Sequence, residues 1–272
     1  MKISVIGAGI IGSAIARSLL QRKREWKIIA TRRRVDKLKE LEELGATITE
    51  DNKKAAREAD IVILCVKPLD VKNVLKEIKE QVKGKLMISV AAAVPLQFLK
   101  EIAPETRFVR AMPNVAILVQ ESFTAYCADP DVTPEDKKRV EEIFSQMGKY
   151  LEVDEKYMNA ITGLSGSGPA YLSIIIEALM YAGLKVGLPR DLALLSSAQT
   201  AVGTGKLILG TQKHLSELKD MVVTPAGVTI EGIYELEGSG IRTALMRAVE
   251  VATKKSEKIT EAIQKHSSPA SP

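Results

Sequence analysis

Six residues near the amino terminus, Gly7-Ala8-Gly9-Ile10-Ile11-Gly12, have the spacing of a loop that holds a diphosphate. They follow an apolar run, Ile3 to Ile6, and open a segment with helical spacing, Ile11 to Gln21. In that setting Gly7 permits the tight turn, Gly9 lets the main chain approach a pyrophosphate, and Gly12 lets helix and strand close on each other. The helix start adds N–H groups without helical partners and a dipole that favours anionic oxygens. Ala8, Ile10 and Ile11 complete the six expected cofactor-binding positions. A lone GxGxxG is weak evidence; the strand–turn–helix setting at residue 7 makes it strong.

The residues after the second strand bear on which dinucleotide binds. A site for NAD usually places Asp or Glu about 20 residues past the motif, to accept hydrogen bonds from ribose hydroxyls. Here the chain reads Ala30-Thr31-Arg32-Arg33-Arg34. A carboxylate would repel a 2′-phosphate, whereas guanidinium groups and a hydroxyl attract it. Thr31, Arg32 and Arg33 are therefore expected contacts, with NADPH preferred and NADH bound more weakly. The competing reading is a solvated basic start to the next helix.

Bulk composition narrows the remaining classes. The chain has 272 residues, 46% apolar and 27% charged, with a formal charge of +5. That suits two globular domains, and no basic block interleaved with aromatics points to nucleic acid. Two cysteines, Cys65 and Cys127, and two histidines, without a C-x-x-C pair, predict neither a metal site nor a disulfide framework. The first residues enter a strand with no basic-then-apolar leader, and no apolar stretch reaches membrane-spanning length uninterrupted. The expectation is a cytoplasmic protein with no membrane, metal or nucleic-acid partner.

The elements that must position these residues alternate through the first half. Strand-like runs are Ile3 to Ile6, Trp26 to Ala30, Ile61 to Val66, Leu86 to Val90, Arg107 to Ala111, Ser122 to Cys127 and Tyr150 to Val153. Helical segments, among them Asp36 to Leu44, separate several of them, which predicts a mainly parallel sheet covered on both faces. After Val153 the pattern is helical, with helices over Pro169 to Lys185 and Pro189 to Leu209, the second ending at Gly210. The segment Ala170 to Leu184 is apolar on almost every side, so it is either a central core helix or one covered by a second subunit. The tail, 266–272, has no core-forming residues and is expected to be disordered.

The segment Ile161-Thr162-Gly163-Leu164-Ser165-Gly166-Ser167-Gly168-Pro169-Ala170-Tyr171 closely resembles a signature of pyrroline-5-carboxylate reductases. Matches continue in order at Gly187-Leu188-Pro189-Arg190, Gln199-Thr200, Leu218-Lys219-Asp220 and the loop Thr224-Pro225-x-Gly227-x-Thr229-Ile230. The first half adds Val66-Lys67-Pro68, Ala91-Ala92-Ala93 and Arg110-Ala111-Met112-Pro113-Asn114. The resemblance implies an α/β Rossmann-like doubly wound domain over 1–155 that binds NADPH. It is followed by an all-α dimerisation and substrate domain over 156–265. It also implies a homodimer, with assembly as far as a decamer of dimers, which gives the apolar helix a partner surface.

The reaction so implied is hydride transfer to the C=N carbon of 1-pyrroline-5-carboxylate, giving L-proline. By family carry-over, the substrate carboxylate sits at Thr224 to Thr229, with N–H groups of Gly227, Val228 and Thr229 and the Thr224 hydroxyl as donors. Thr229 matches the family position whose hydroxyl contacts the ring nitrogen; a helix N-cap is its other possible duty. Asn52, Val66, Lys67 and Pro68 match the adenosine and ribose side of the cofactor groove. Ala91, Ala92, Ala93, Met112, Pro113 and Asn114 match the loops near the nicotinamide. The usual Ser-Pro-Gly-Gly loop is here Thr224-Pro225-Ala226-Gly227, and Ala116 stands where a Pro is common. These departures leave open a related cyclic imine acid or a non-catalytic NADPH sensor. A hydroxyacid dehydrogenase would carry a lysine at the long helix, and none lies between Tyr157 and Leu184.

Overall fold

The computed structural model describes residues 1–22 and 25–265, so the expected tail at 266–272 lies outside the described residues. In chain order, β1 (Lys2–Ile6), α1 (Ile10–Arg22), β2 (Lys27–Thr31), α2 (Lys39–Glu43), β3 (Thr47–Thr49), α3 (Asn52–Glu58) and β4 (Ile61–Leu64) come first. Then follow α4 (Val71–Ile78), β5 (Leu86–Ser89), α5 (Leu96–Ile102), β6 (Arg107–Met112), β7 (Ser122–Ala128), α6 (Pro134–Ser145) and β8 (Gly148–Glu152). The eight strands form one sheet in the order β3-β2-β1-β4-β5-β6-β7-β8. All neighbours are parallel except β6 and β7. The order reverses between β1 and β4, the point where doubly wound sheets bind nucleotides beyond their carboxyl ends.

Burial on both faces explains the continuous apolar strands. In β4, Ile61 and Ile63 join one core with Ile15, Leu19 and Phe144, while Val62 and Leu64 join the other with Leu75, Phe98 and Phe108. Each fully buried side chain of this size contributes about 1.5–3 kcal/mol. Two local readings change. The third strand, β3, is short and half polar, so it gives no apolar run. The helix expected over Asp36 to Leu44 divides into a 3₁₀ turn, Val35–Leu38, and α2.

The start of β6 is held by a half-buried ion pair. Arg107 Nε donates to Asp136 Oδ2 at 2.6 Å, and the Asp136 side chain is 4% exposed. Asp136 also closes a capping box with Thr133 at the start of α6. Burial alone would raise its pKa, but Arg107 and Thr133 outweigh it and hold the carboxyl below its ordinary 3.8. A carboxyl depressed in the folded state stabilises fully above that value, and the contribution fades as pH falls through the folded pKa. Asp136→Asn should therefore cost about 2–3 kcal/mol near neutrality and flatten the melting curve's dependence on pH below 4. Equal melting temperatures for both proteins at pH 7 would contradict this role.

Beyond the sheet, α7 (Met158–Ile161) runs through a π-helical turn, Thr162–Gly166, into α8 (Gly168–Lys185). The remaining helices are α9 (Arg190–Thr211), α10 (Leu215–Asp220), α11 (Val228–Gly238) and α12 (Ile241–Lys265). Gly187, at φ 91°, ends α8, and the Leu188 N–H closes back on the Gly183 carbonyl. Gly210 does not end α9; the helix continues to Thr211 and stops at Gln212, which takes φ 53°. In α8 only Met180 is buried and in α9 only Ala193, while Leu172, Ile174 and Leu195 are more than half exposed.

The stretches Glu155–Lys185 and Arg190–Thr211 are long and apolar enough to cross a membrane by length and composition, contrary to the expectation of no such stretch. A π turn, Thr162–Gly166, carries the first of these stretches through Gly163 and Gly166.

Among the described residues, compactness divides the chain into Met1–Ser167 together with those from Glu250 on, and Gly168–Val249. This differs from the expected single boundary at 155/156. Met158 and Ile263 are buried in the core that includes Leu99 and Phe108, so α7 and the end of α12 belong with the sheet.

Candidate active site

Beyond the carboxyl ends of β1, β2 and β4 lies a cleft of about 390 Å³. Its lining includes Gly7, Gly9, Thr31, Arg32, Arg33, Asn52, Val66 and Lys67, brought together from four segments. The loop fits a dinucleotide in detail. Gly7 takes φ 86°, and a Cβ there would stand 2.6 Å from Val66 Cγ1. A Cβ on Gly12 would meet the Gly7 carbonyl at 2.9 Å and Cys65 Cβ at 3.1 Å. Gly9 is different: its nearest such neighbour is 4.0 Å away, so packing within the fold does not itself require a glycine there. Gly9→Ala should keep the melting temperature within about 2 °C yet weaken NADPH at least tenfold, whereas Gly12→Ala should lower both. Undiminished NADPH binding by Gly9→Ala would remove the pyrophosphate from this loop.

Hydrogen bonds fix the rim of the cleft. The Gly7 and Ala8 N–H groups donate to the Thr31 carbonyl at 3.2 and 2.8 Å, tying the loop to β2. Ala8 is fully buried, so its contribution is to hold the turn. The first helical bond of α1 is Ser13 N–H to the Gly9 carbonyl, leaving the Ile10, Ile11 and Gly12 amides for an anion. The Thr31 hydroxyl donates to Asn52 Oδ1 at 2.7 Å, and Asn52 Nδ2 donates to Glu77 at 3.2 Å. Arg33 lies 3.5 Å from Asp70, while Arg32 forms no ion pair among the described residues.

The cleft also holds residues the sequence reading did not count among the cofactor contacts: Arg34, the third of the quoted arginines, together with Glu50, Cys65, Asp70 and Val74. Glu50 follows β3, the strand that was missed, and Asp70 lies three residues past Lys67 with no motif of its own. Burial raises the Cys65 thiol far above its ordinary range and pushes Cys127 up to about 12, so both stay protonated and unreactive.

Pro68, Ala91 to Ala93 and Met112 to Asn114 lie outside this cleft. Ala91 to Ala93 follow β5 and Met112 to Asn114 close and follow β6, its parallel neighbour, so the two loops leave the same edge of the sheet. Asn114 Nδ2 donates to the Ser165 carbonyl at 3.2 Å, and a Cβ on Gly166 would stand 2.6 Å from Met112 Cε. The glycine-rich signature is thus a seat for the 112–114 loop. The buried Ser165 hydroxyl there has no hydrogen-bond partner among the described residues.

In the second unit, Thr224 to Thr229 forms a turn into α11. Ala226 takes φ 57°, the conformation that glycine would adopt without strain. The Gly227 N–H donates to the Thr224 carbonyl at 3.0 Å, so it is spent inside the turn and is not one of the free donors. A Cβ on Gly227 would strike Thr224 Oγ1. Gly227, not Thr229, is the N-cap of α11, which leaves the Val228 and Thr229 N–H groups open with the Thr229 hydroxyl one position along. His214 caps α10, its Nδ1 accepting from Ser216 N–H at 3.3 Å.

Residues 155–259 match the family model described as pyrroline-5-carboxylate reductase dimerisation, and residues 2–93 match that of NADP oxidoreductase, coenzyme F420-dependent. The chain thus binds a nicotinamide dinucleotide and self-associates through its helical region. It is 42% identical to a pyrroline-5-carboxylate reductase of Methanosarcina acetivorans, over 95% of this chain and 97% of that one. The crystal structure of Plasmodium falciparum pyrroline carboxylate reductase with NADP bound superposes with a TM-score of 0.87 at 32% identity, covering 96% and 98% of the two chains. A pyrroline-5-carboxylate reductase from Coxiella burnetii gives 0.88 at 32% identity, covering 95% and 98%. With that extent of identity along nearly its whole length, this chain belongs to the pyrroline-5-carboxylate reductase family.

Proposed function

We propose that the chain reduces 1-pyrroline-5-carboxylate to L-proline with NADPH, the last step of proline biosynthesis, as a homodimer in the cytoplasm. The observation that carries the substrate half is the open start of α11. Two free N–H groups and one hydroxyl stand there within two residues, in a chain that also cradles a dinucleotide. Val228 and Thr229 N–H, with the positive end of the helix dipole, bind the substrate carboxylate. The Thr224 hydroxyl, beside Gly227, completes that anion site.

The Thr229 hydroxyl faces the ring nitrogen. A hydroxyl both accepts and donates, so it accepts from the N–H of the protonated imine and then donates to the lone pair created by reduction. NADPH, when bound, supplies the hydride that adds to the C=N carbon. No further acid is required, because the nitrogen enters carrying its proton. The Gly9 loop, with the Ile10 to Gly12 amides, holds the diphosphate. Arg32 and Arg33 hold the 2′-phosphate, while Thr31, buried with its hydroxyl proton on Asn52, shapes the cleft behind them, with Asn52, Val66, Lys67 and Pro68 along the ribose side. Ala91 to Ala93 and Met112 to Asn114 flank the nicotinamide.

Two free thiols, Cys65 and Cys127, accord with a reducing cytoplasm. The exposed faces of α8 and α9 are what a second copy covers, and the homodimer assembles further into a decamer of dimers. A related cyclic imine acid is the second reading, favoured by Ala226 at φ 57° and by Val228 at 91% exposure, both at the carboxylate loop. Comparing kcat/KM for the five-membered imine acid with its six-membered homologue separates them. A preference for the five-membered ring is expected; a preference for the larger ring would move the substrate assignment.

A further inference from the structure

The carboxyl-terminal half of α12 carries an inward stripe at Ser256, Ile259, Thr260 and Ile263, the i, i+3, i+4, i+7 spacing of a buried helix face. Ile259 and Ile263 pack on the core below the sheet, as such a stripe should. Ser256 and Thr260 are hydroxyl residues where apolar ones would be the default. Ser256 is 4% exposed and donates to Asn159 Oδ1 at 2.8 Å. The Thr260 hydroxyl has one proton and three acceptors in reach: the Ala93 carbonyl at 3.0 Å, and Asn159 Oδ1 and the Ser256 carbonyl, both at 3.2 Å. The shortest contact crosses to a different part of the fold, 167 residues away.

Its acceptor is unusual. Ala93 takes φ 61°, a region that L-residues other than glycine seldom occupy, and it is 2% exposed. Such a conformation persists only where the surroundings hold it. Of the three alanines, Ala91 and Ala93 are buried and only Ala92 is partly exposed, so the orientation of the whole turn decides what the loop presents. The loop is held at its far end as well. Leu96 N–H, at the start of α5, donates to Glu155 Oε1 at 2.8 Å, and the same oxygen accepts from the buried Arg110 at 2.9 Å. Arg110 lies two residues before Met112, so Glu155 braces both loops that leave this edge of the sheet.

We propose that Thr260 is a positioning residue for hydride transfer: its hydroxyl, backed by Asn159 and Ser256, fixes the Ala93 carbonyl and with it the turn Ala91 to Ala93. Glu155 acts with it as the second fastening. The inference rests on the proposed function, in which that turn flanks the nicotinamide. The adenosine end of the cofactor is held elsewhere, by the Gly9 loop and Arg32, so loosening the turn changes the alignment of the reacting carbon and not the grip on the cofactor.

The test compares Thr260→Val, which keeps the shape and loses the proton, with Thr260→Ser, which keeps the proton. NADPH bearing deuterium at the transferred position serves as the probe with 1-pyrroline-5-carboxylate. For Thr260→Val, kcat should fall on the order of tenfold, with a raised isotope effect on kcat and NADPH Kd within about threefold of the starting protein. Thr260→Ser should restore both kcat and the isotope effect. A folded Thr260→Val with unchanged kcat and isotope effect overturns the proposal. So does a fall in kcat matched by the same loss of NADPH affinity with no change in isotope effect, the mark of general loosening. If Thr260→Val does not fold, Glu155→Gln decides by the same readings. Absence of imine-dependent NADPH oxidation in the unaltered protein would instead overturn the proposed function.

Discussion

With Arg32 and Arg33 both replaced by Ala, the Kd for NADPH rises about 100-fold while that for NADH moves less than about threefold, the loss of two unequal charge-assisted hydrogen bonds worth ~3 kcal/mol together. The expectation follows from what each guanidinium has nearby. Arg33 already lies 3.5 Å from Asp70, so part of its charge is engaged before any ligand arrives. Arg32, at the end of β2 and without an ion pair among the described residues, has its full charge to offer. Arg32→Ala alone should therefore account for most of the effect, and added salt should weaken NADPH more than NADH. Glu50, which also lines the cleft, would face a 2′-phosphate unfavourably. Glu50→Gln is thus expected to tighten NADPH slightly. Equal weakening of the two cofactors by the double substitution would sink the 2′-phosphate assignment.

Thr229→Ala should lower kcat on the order of 100-fold, the scale of removing one preorganised hydrogen-bond partner from a reacting centre. The main-chain N–H at 229 survives the substitution, so the carboxylate keeps its donors and KM should change much less than kcat. NADPH affinity should not change, because the cofactor cradle is built from other residues. Because Gly227 and not Thr229 caps α11, the substitution removes no cap, and the melting temperature should stay within about 2 °C. Thr229→Ser, which keeps the hydroxyl, should recover most of the rate. Unchanged turnover for Thr229→Ala would remove that hydroxyl from the mechanism. A fall in kcat with a large drop in melting temperature would instead assign it a structural role.

Much of the fold was legible because its strands are buried on both faces and so read as continuous apolar runs. Of the eight strands, β3 escaped, since Thr47-Ile48-Thr49 is too short and too polar to stand out. Its loss hid Glu50, the acid at the edge of the cofactor cleft. Gly187 behaved as a helix-ending glycine should, but Gly210 lies within α9 and Gln212 took the left-handed position instead. Glycine shows where such a conformation is easy, not where it is used. The signature Gly-Leu-Ser-Gly-Ser-Gly was recognisable as a string. That it makes a π turn seating Met112 and Asn114 could be seen only once those loops were placed.

The dinucleotide cradle was the easiest part of the site to read, because its residues are close in sequence and each glycine has a separate steric reason. The fastenings behind the 91–93 turn were the hardest. Glu155 and Thr260 lie 59 and 167 residues from their partners, and neither belongs to a motif. Within the carboxylate loop, the residue types suggested three main-chain donors; folding spends the Gly227 N–H on the turn itself and leaves two.

The most direct test is to add 1-pyrroline-5-carboxylate to the purified protein with NADPH, following nicotinamide absorbance and measuring L-proline. Oxidation that depends on the imine acid, with one L-proline formed per NADPH consumed, is the predicted result. Tight NADPH binding with no oxidation on adding the imine acid would contradict the account, and would place this chain's carboxylate loop outside the chemistry assigned to it.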